Sequence, residues 1–423
     1  MRSHPASKSF SIRNSGANTN RHCQFERLED KRLLAVDLAF NDGQLNFTGE
    51  AEAEIVITAV DANTLNVTEG TVDLGDFSNV TDISFRLDLG AGLANDDAVM
   101  IDLGDVETID TVFATLGLGE NSLEIQGDQP IRRLIYAGHD SVDNVEVSIE
   151  TDQEVRVLTR GGDDSFLLTA NTGSLLARLG AGDDSLRITD FDSTSVIGAS
   201  LMTDGGTIRL GNGDNTVSIG GDHDGSLRVF GGSGDDSVEL TAGASLTDSL
   251  LLNVGTGNNL MEIEGDINSM LRVRADGGVN NLVVRPESTV GSLSVLTDAA
   301  QNYVLVRGNV VGDAFIHSQD FANEGFQETP RHETTTIIEG DVGGNLDVWM
   351  ADGSEHSLFA TGSVGGNFTA GGFDNADRTF VSTVDPGGNL IMTTDGEPAF
   401  IGCDSNETQI WAIGVLSCVP VSI

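Results

Sequence analysis

The chain has 423 residues, 52 of them glycine, with a formal net charge of −44 and a hydrophobic share of 39%. Only 7 prolines and 2 tryptophans are present, which excludes collagen-like and proline-rich disordered chains while leaving enough apolar residues for a core. So acidic a body repels phosphate backbones and anionic membranes, making both poor partners and divalent cations the natural counter-ligand; solubility alone is the competing account of the charge.

Residues 1–35 hold seven basic side chains against three acids, a net of +4, so the remainder carries −48. Both lysines lie in this tail, and every basic residue after it is arginine. The first 24 residues are polar and basic and lack an apolar h-region, and they are read as a disordered tail. No stretch of the chain approaches the ~18 apolar residues of a spanning helix. Three cysteines, Cys23, Cys403 and Cys418, cannot form a disulfide framework, and no CxxC pair suggests zinc.

The tail ends in Phe25-Glu26-Arg27-Leu28-Glu29-Asp30-Lys31-Arg32-Leu33-Leu34-Ala35. This segment resembles the LEPR-XLL motif found near the start of many large exported bacterial proteins. Leu28, Glu29, Leu33 and Leu34 match its named positions, while Asp30 and Lys31 stand where the motif has Pro and Arg. The resemblance implies an extracellular or cell-surface destination. A short amphipathic helix is the alternative reading of the same residues.

From residue 36 the pattern changes to alternation. Leu45-Asn46-Phe47, Ile55-Val56-Ile57 and Leu65-Asn66-Val67 predict strands, and residues 36–85 read as an N-terminal cap or the first coils of a repeat. Over residues 86–402 a Gly-rich acidic turn, then Ser or Thr, then apolar-polar-apolar recurs. Asp183-Asp184-Ser185-Leu186-Arg187-Ile188 and Asp235-Asp236-Ser237-Val238-Glu239-Leu240 are two of its copies. Leu186, Ile188, Val238 and Leu240 are predicted to face inward, Arg187 and Glu239 outward. Anchored at Glu120, Asp143, Asp163, Asp183, Asp214, Asp235, Asn258 and Asn280, the steps cluster near 22, with one of 31 that places an insertion within 189–206.

A second, out-of-phase series carries Gly291, Gly312, Gly343, Gly365 and Gly387, and it extends the period through the C-terminal third. Two strands per coil of about 22 residues predict an all-β parallel β-helix or β-solenoid, with Ser and Asn at its corners forming side-chain ladders. The apolar segments in 403–423 suit a C-terminal cap.

Gly231-Gly232-Ser233-Gly234-Asp235-Asp236-Ser237-Val238-Glu239 resembles the hemolysin-type calcium-binding repeat, and 160–263 carries partial copies. That resemblance implies calcium (Ca2+) as a possible cofactor, with Asp163, Asp164, Asp183, Asp184, Asp214, Asp235 and Asp236 as candidate ligands. Hard carboxylate and carbonyl oxygens are what the ion prefers. A metal-free Asp/Asn turn ladder is the competing reading, in which exposed carboxylates splay into water and are screened.

Catalysis finds little footing: histidines are scattered and neither HExxH nor GxSxG occurs. The one place for it is a second insertion across 317–336, with His317, Glu328, Arg331 and His332. The sequence therefore points to a non-enzymatic, exported or surface structural or adhesive solenoid whose partner is a surface polysaccharide or protein. A carbohydrate-active β-helix enzyme is the alternative.

Overall fold

The alternating segments become rungs. In the computed structural model all 38 elements of the described chain are strands, and residues 36–423 form one unit. The structure describes residues 36–87, 96–189, 202, 205–298, 301–318, 333–350 and 357–371. It adds the strand backbone at 355–356, 372–373 and in five later segments between 378 and 420. The basic tail with its motif lies outside the described residues, as do Glu328, Arg331 and His332.

Each coil contributes one strand to sheet A and one to sheet B, and successive coils pair in parallel, giving a β-solenoid of about 11 turns. In sheet B, Val145, Phe166, Leu186, Val217 and Val238 stand in direct register on five consecutive coils. All five are buried, as are Ile188 and Leu240, so the sequence alternation is the inward-outward alternation of the rungs. Each such side chain contributes roughly 1.5–3 kcal/mol by leaving water. A charged replacement at Leu186 would disrupt the coils on both sides at once.

Sheet A is built the same way, with Leu175, Ala177 and Leu179 on the inner face of Thr172–Ala181. A third inward column, not anticipated from the sequence, precedes its strands: Met202, His223, Leu246, Ile267, Val290, Val310, Val342 and Val364. His223 fills a slot otherwise taken by aliphatic side chains. Its Nε2 lies 3.0 Å from the Gly220 carbonyl, and burial pushes its pKa down to about 4, so it is a neutral core residue.

Both sheets begin with antiparallel strands. Val36–Asn41 and Gln44–Gly49 form a hairpin at the start of sheet A, and Ile55–Asp61, Thr64–Glu69 and Val72–Ser78 a meander at the start of sheet B. Asp73 and Asp76, held by Asn66, put charge on the edge strand, which discourages further pairing. Under this end Phe47 and Phe85 stack with ring centroids 4.4 Å apart. At the other end the backbone of Ile410–Ile413 runs parallel to Leu390–Thr394 and adds a rung to sheet A.

The long steps leave the register untouched. Leu175 pairs with Gly206, and Ser185 with Thr216, across the first insertion. Gln301 pairs with Glu333 across the second. The extra length of these two steps is accommodated between rungs, whereas single-residue bulges occur within sheet A pairings such as Ile131–Ala137 with Thr151–Leu158.

Candidate functional site

The turn from sheet A to sheet B carries two adjacent rows of Asp and Asn side chains, one outside and one inside. Because neighbouring residues on extended chain point to opposite faces, Asp163 is exposed and Asp164 buried, Asp183 exposed and Asp184 buried, Asp235 exposed and Asp236 buried. The structure therefore separates the sequence candidates into two sets that do not converge.

The outer row is Asp163, Asp183, Asp214, Asp235 and Asn258. Each Oδ1 accepts the backbone N–H of the next residue in the row, at 2.9 Å from Asp183, 2.9 Å from Asp214, 2.7 Å from Asp235 and 2.7 Å from Asn258. A similar row, Asp313, Asn345 and Asn367, runs along another turn, where Asn345 N–H donates to Asp313 at 2.7 Å and Asn367 N–H to Asn345 at 2.9 Å. These are the corner ladders expected from the recurrence of Asn and Asp.

The inner row runs the other way. Asp143 N–H donates to Asp164 Oδ1 at 2.8 Å, Asp164 N–H to Asp184 at 2.9 Å, and Asp184 N–H to Asn215 at 3.0 Å. Asn215 N–H then donates to Asp236 at 3.2 Å, and Asp236 N–H to Asn259 at 2.9 Å. Asn121, Asn280, Asn302 and Thr334 continue the row, all buried. The structural phase also corrects the sequence anchors: Asp143 and Asn280 belong to this inner row, not with Glu120, Asp163 and Asn258. Turn signals alone do not show which of two consecutive polar residues points inward.

Asparagine suits the inner row at Asn215 and Asn259, where both ends of the amide are paired. The Nδ2 of Asn215 donates to its own turn carbonyl, Gly213, at 2.9 Å and to Asp236 Oδ1 at 2.8 Å. Asn259 does the same with Gly257 at 3.4 Å and Asn280 Oδ1 at 2.8 Å. Aspartate at these places exchanges the donor for an acceptor. The Oδ2 atoms of Asp143, Asp164, Asp184 and Asp236 are buried with no hydrogen-bond partner. Such an orphan costs on the order of 1–3 kcal/mol, more if charged.

Burial accordingly pushes Asp164 up to about 7 and Asp184 up to about 6, and raises Asp143 and Asp236. The buried Tyr136 donates its hydroxyl to Asp143 Oδ1 at 2.9 Å, and its own pKa is raised by burial first and by Asp143 next. These carboxylates cannot splay into water, contrary to the reading of the turns as exposed.

Glycine is required where the coils nest. A Cβ on Gly182, whose φ is +138°, would fall 2.0 Å from the Gly162 carbonyl oxygen, and one on Gly231 would fall 2.3 Å from Asp236 Oδ2. Glycine thus leaves room for the neighbouring coil's backbone at Gly182 and for the inner carboxylates of Asp143 and Asp236 at Gly138 and Gly231. The donor chemistry fits calcium: hard oxygens only, some of them anionic and unsatisfied. Among the described residues no three acidic, His or Cys side chains come together, so glycine carbonyls and water would complete such a site.

His317, the described member of the candidate enzymatic cluster, lies on the outer side of sheet A, stacked on Phe315 with centroids 3.5 Å apart and with Nε2 3.8 Å from Asp347. Burial holds its pKa below the usual histidine range, and Asp347 opposes that shift. Compared with family models, curated proteins and solved structures, the chain matches none of them. The class is therefore set by the fold itself, a two-sheet parallel β-solenoid clamped by paired Asx rows.

Proposed function

We propose that this chain is a non-enzymatic structural solenoid, displayed outside the cell or on its surface and holding calcium on its inner row of aspartates. The observation that carries the reading is the use of the carboxylates. In five consecutive coils, from Asp143 to Asp236, carboxylates are committed through Oδ1 to clamping one coil to the next. The orphaned Oδ2 atoms then ask for a cation or a proton. When bound, calcium supplies positive charge to them; Asp164, Asp184 and Asp236, with the carbonyls of Gly162, Gly182 and Gly234, are the residues that would hold it. The export half rests on the N-terminal motif residues Leu28, Glu29, Leu33 and Leu34.

A far-UV circular dichroism melt at pH 8, with millimolar calcium and again with chelator, tests the metal. Wild type is expected to melt several degrees higher with calcium. The Asp164→Asn/Asp184→Asn/Asp236→Asn variant keeps the ladder acceptors and is expected to be indifferent to it; a wild type equally indifferent sinks the calcium reading. Deleting residues 1–35 is expected to retain the protein inside the cell, and unchanged secretion would remove the targeting reading.

A further inference from the structure

Two rows of opposite charge run side by side along the edge where sheet A gives way to the turn. On the outer face of sheet A four consecutive coils each present an arginine: Arg156, Arg178, Arg209 and Arg228. Arg178 and Arg209 stand directly in register, a like-charge pairing that is unfavourable in a sheet. Arg209 lies over the ring of Phe230 at 5.2 Å. Arg156 touches Glu154 at 3.8 Å, but among the described residues Arg178, Arg209 and Arg228 have no acidic partner, in a chain that holds 66 acids. The turns that follow these same four strands carry the exposed Asp163, Asp183, Asp214 and Asp235. At Asp163, Asp183 and Asp214 one oxygen is engaged by the ladder and Oδ2 is left over, while Asp235 Oδ2 also accepts from Asn258 Nδ2 at 3.2 Å.

We infer that this edge is a homotypic contact, on which a second copy of the chain lies parallel so that each copy's arginine row meets the other's aspartate row. A two-fold axis running parallel to the solenoid between the two rows makes the contact isologous, and both rows are used twice. Both rows advance one coil per charge at the ~4.8 Å strand spacing, so the in-register Arg178 and Arg209 match two successive aspartates. Arg156 and Arg228 lie two residues earlier on their strands and reach theirs with longer side-chain extension. A second copy brings both signs of charge in the required order. An acidic polysaccharide brings only one, and would lay it beside four aspartates. The overall charge opposes encounter, but physiological salt screens it beyond ~8 Å, leaving the short-range pairs to decide. Association is thus expected to pass through a maximum with ionic strength: weak at low salt, where like charges repel, and weak at high salt, where the pairs are screened.

Sedimentation equilibrium of the full chain with chelator, at about 0.15 M salt, tests this. Wild type is expected to dimerise, and Arg178→Glu/Arg209→Glu and Asp183→Lys/Asp214→Lys are each expected to weaken the dimer by about tenfold or more. Mixing the two reversed variants restores complementary rows in one heterodimer, so recovery of association in the mixture is the decisive result. Asp183→Asn/Asp214→Asn retains the Oδ1 acceptors and serves where the lysine variant fails to fold; it is expected to weaken the dimer without lowering the melting temperature. A wild type that stays monomeric across the salt series, or a mixture of folded variants that fails to recover, overturns the inference. Retention of a monomeric wild type on an immobilised acidic polysaccharide, lost in the arginine variant, would assign the edge to a glycan instead.

Discussion

The inner row changes chemistry along its length while its backbone register and burial stay the same. From Asp143 to Asp236 it is mostly acid; from Asn259 onward it is amide at Asn280 and Asn302 and hydroxyl at Thr334, all equally buried. In both stretches the side chain points into the core at the start of a sheet B strand. Where a backbone N–H of the neighbouring coil meets the row, it meets an Oδ1. The fold therefore needs an acceptor at this position and has no need of a charge. Aspartate in the first stretch leaves a buried Oδ2 unpartnered where asparagine at Asn215 and Asn259 donates, so the two stretches should differ in their response to pH and to cations.

The largest effect comes from removing the acceptor itself. Asp164→Ala and Asn259→Ala each strand a buried amide and leave a void, and each is expected to cost about 2–4 kcal/mol, read as a large fall in melting temperature. Equal losses in the two stretches would support the common role of Oδ1. A loss confined to one of them would break the comparison.

Importing the acid into the amide stretch comes next. Asn259→Asp loses donors to Gly257 and Asn280 and sets an anionic oxygen against both acceptors; a cost of about 2 kcal/mol is expected at pH 8, smaller at pH 5.

The acid stretch should also make metal-free protein pH-sensitive in an unusual direction. Asp164 and Asp184 have folded pKa values near 7 and 6 against an ordinary 3.8. Between about pH 4 and 7 the folded chain thus keeps protons that the unfolded chain has released, so stability falls as pH rises and levels off above 7. With chelator present, the melting temperature is expected to be several degrees higher at pH 5 than at pH 8. Asp164→Asn/Asp184→Asn should flatten that slope and raise the pH 8 value; a slope that survives the double substitution would assign it to other groups. Calcium should shrink the slope too, because its ligands must be ionised.

The smallest effect is expected on the outside: Asp183→Asn keeps the ladder bond at an exposed site and should change stability by less than about 0.5 kcal/mol.

Much of this architecture is legible in the sequence, for reasons of period. Leu186 and Ile188 alternate with Arg187 because one face of the rung is buried, and the recurrence of the turn near every 22 residues announces stacking. What stays hidden is whatever depends on phase or register between coils. Asp183 and Asp184 look alike in a string of letters, yet strand geometry sends one to water and the other into the core. Arg178 and Arg209 become neighbours only once the insertion between them is set aside by pairing Leu175 with Gly206. His223 reads as an ordinary loop histidine until the third inward column places it among Met202 and Leu246.

The insertions carry a consequence of their own. A step of 31 residues between Asp184 and Asn215 replaces the usual 20 to 23, and the rungs on either side do not register it. Selection can therefore change the length of chain between 189 and 206, or between 318 and 333, while the rungs on either side keep their pairing, provided the inward place of Met202 is kept. Variation among descendants of such a chain should gather at those two positions, and the spacing of the rungs should drift last.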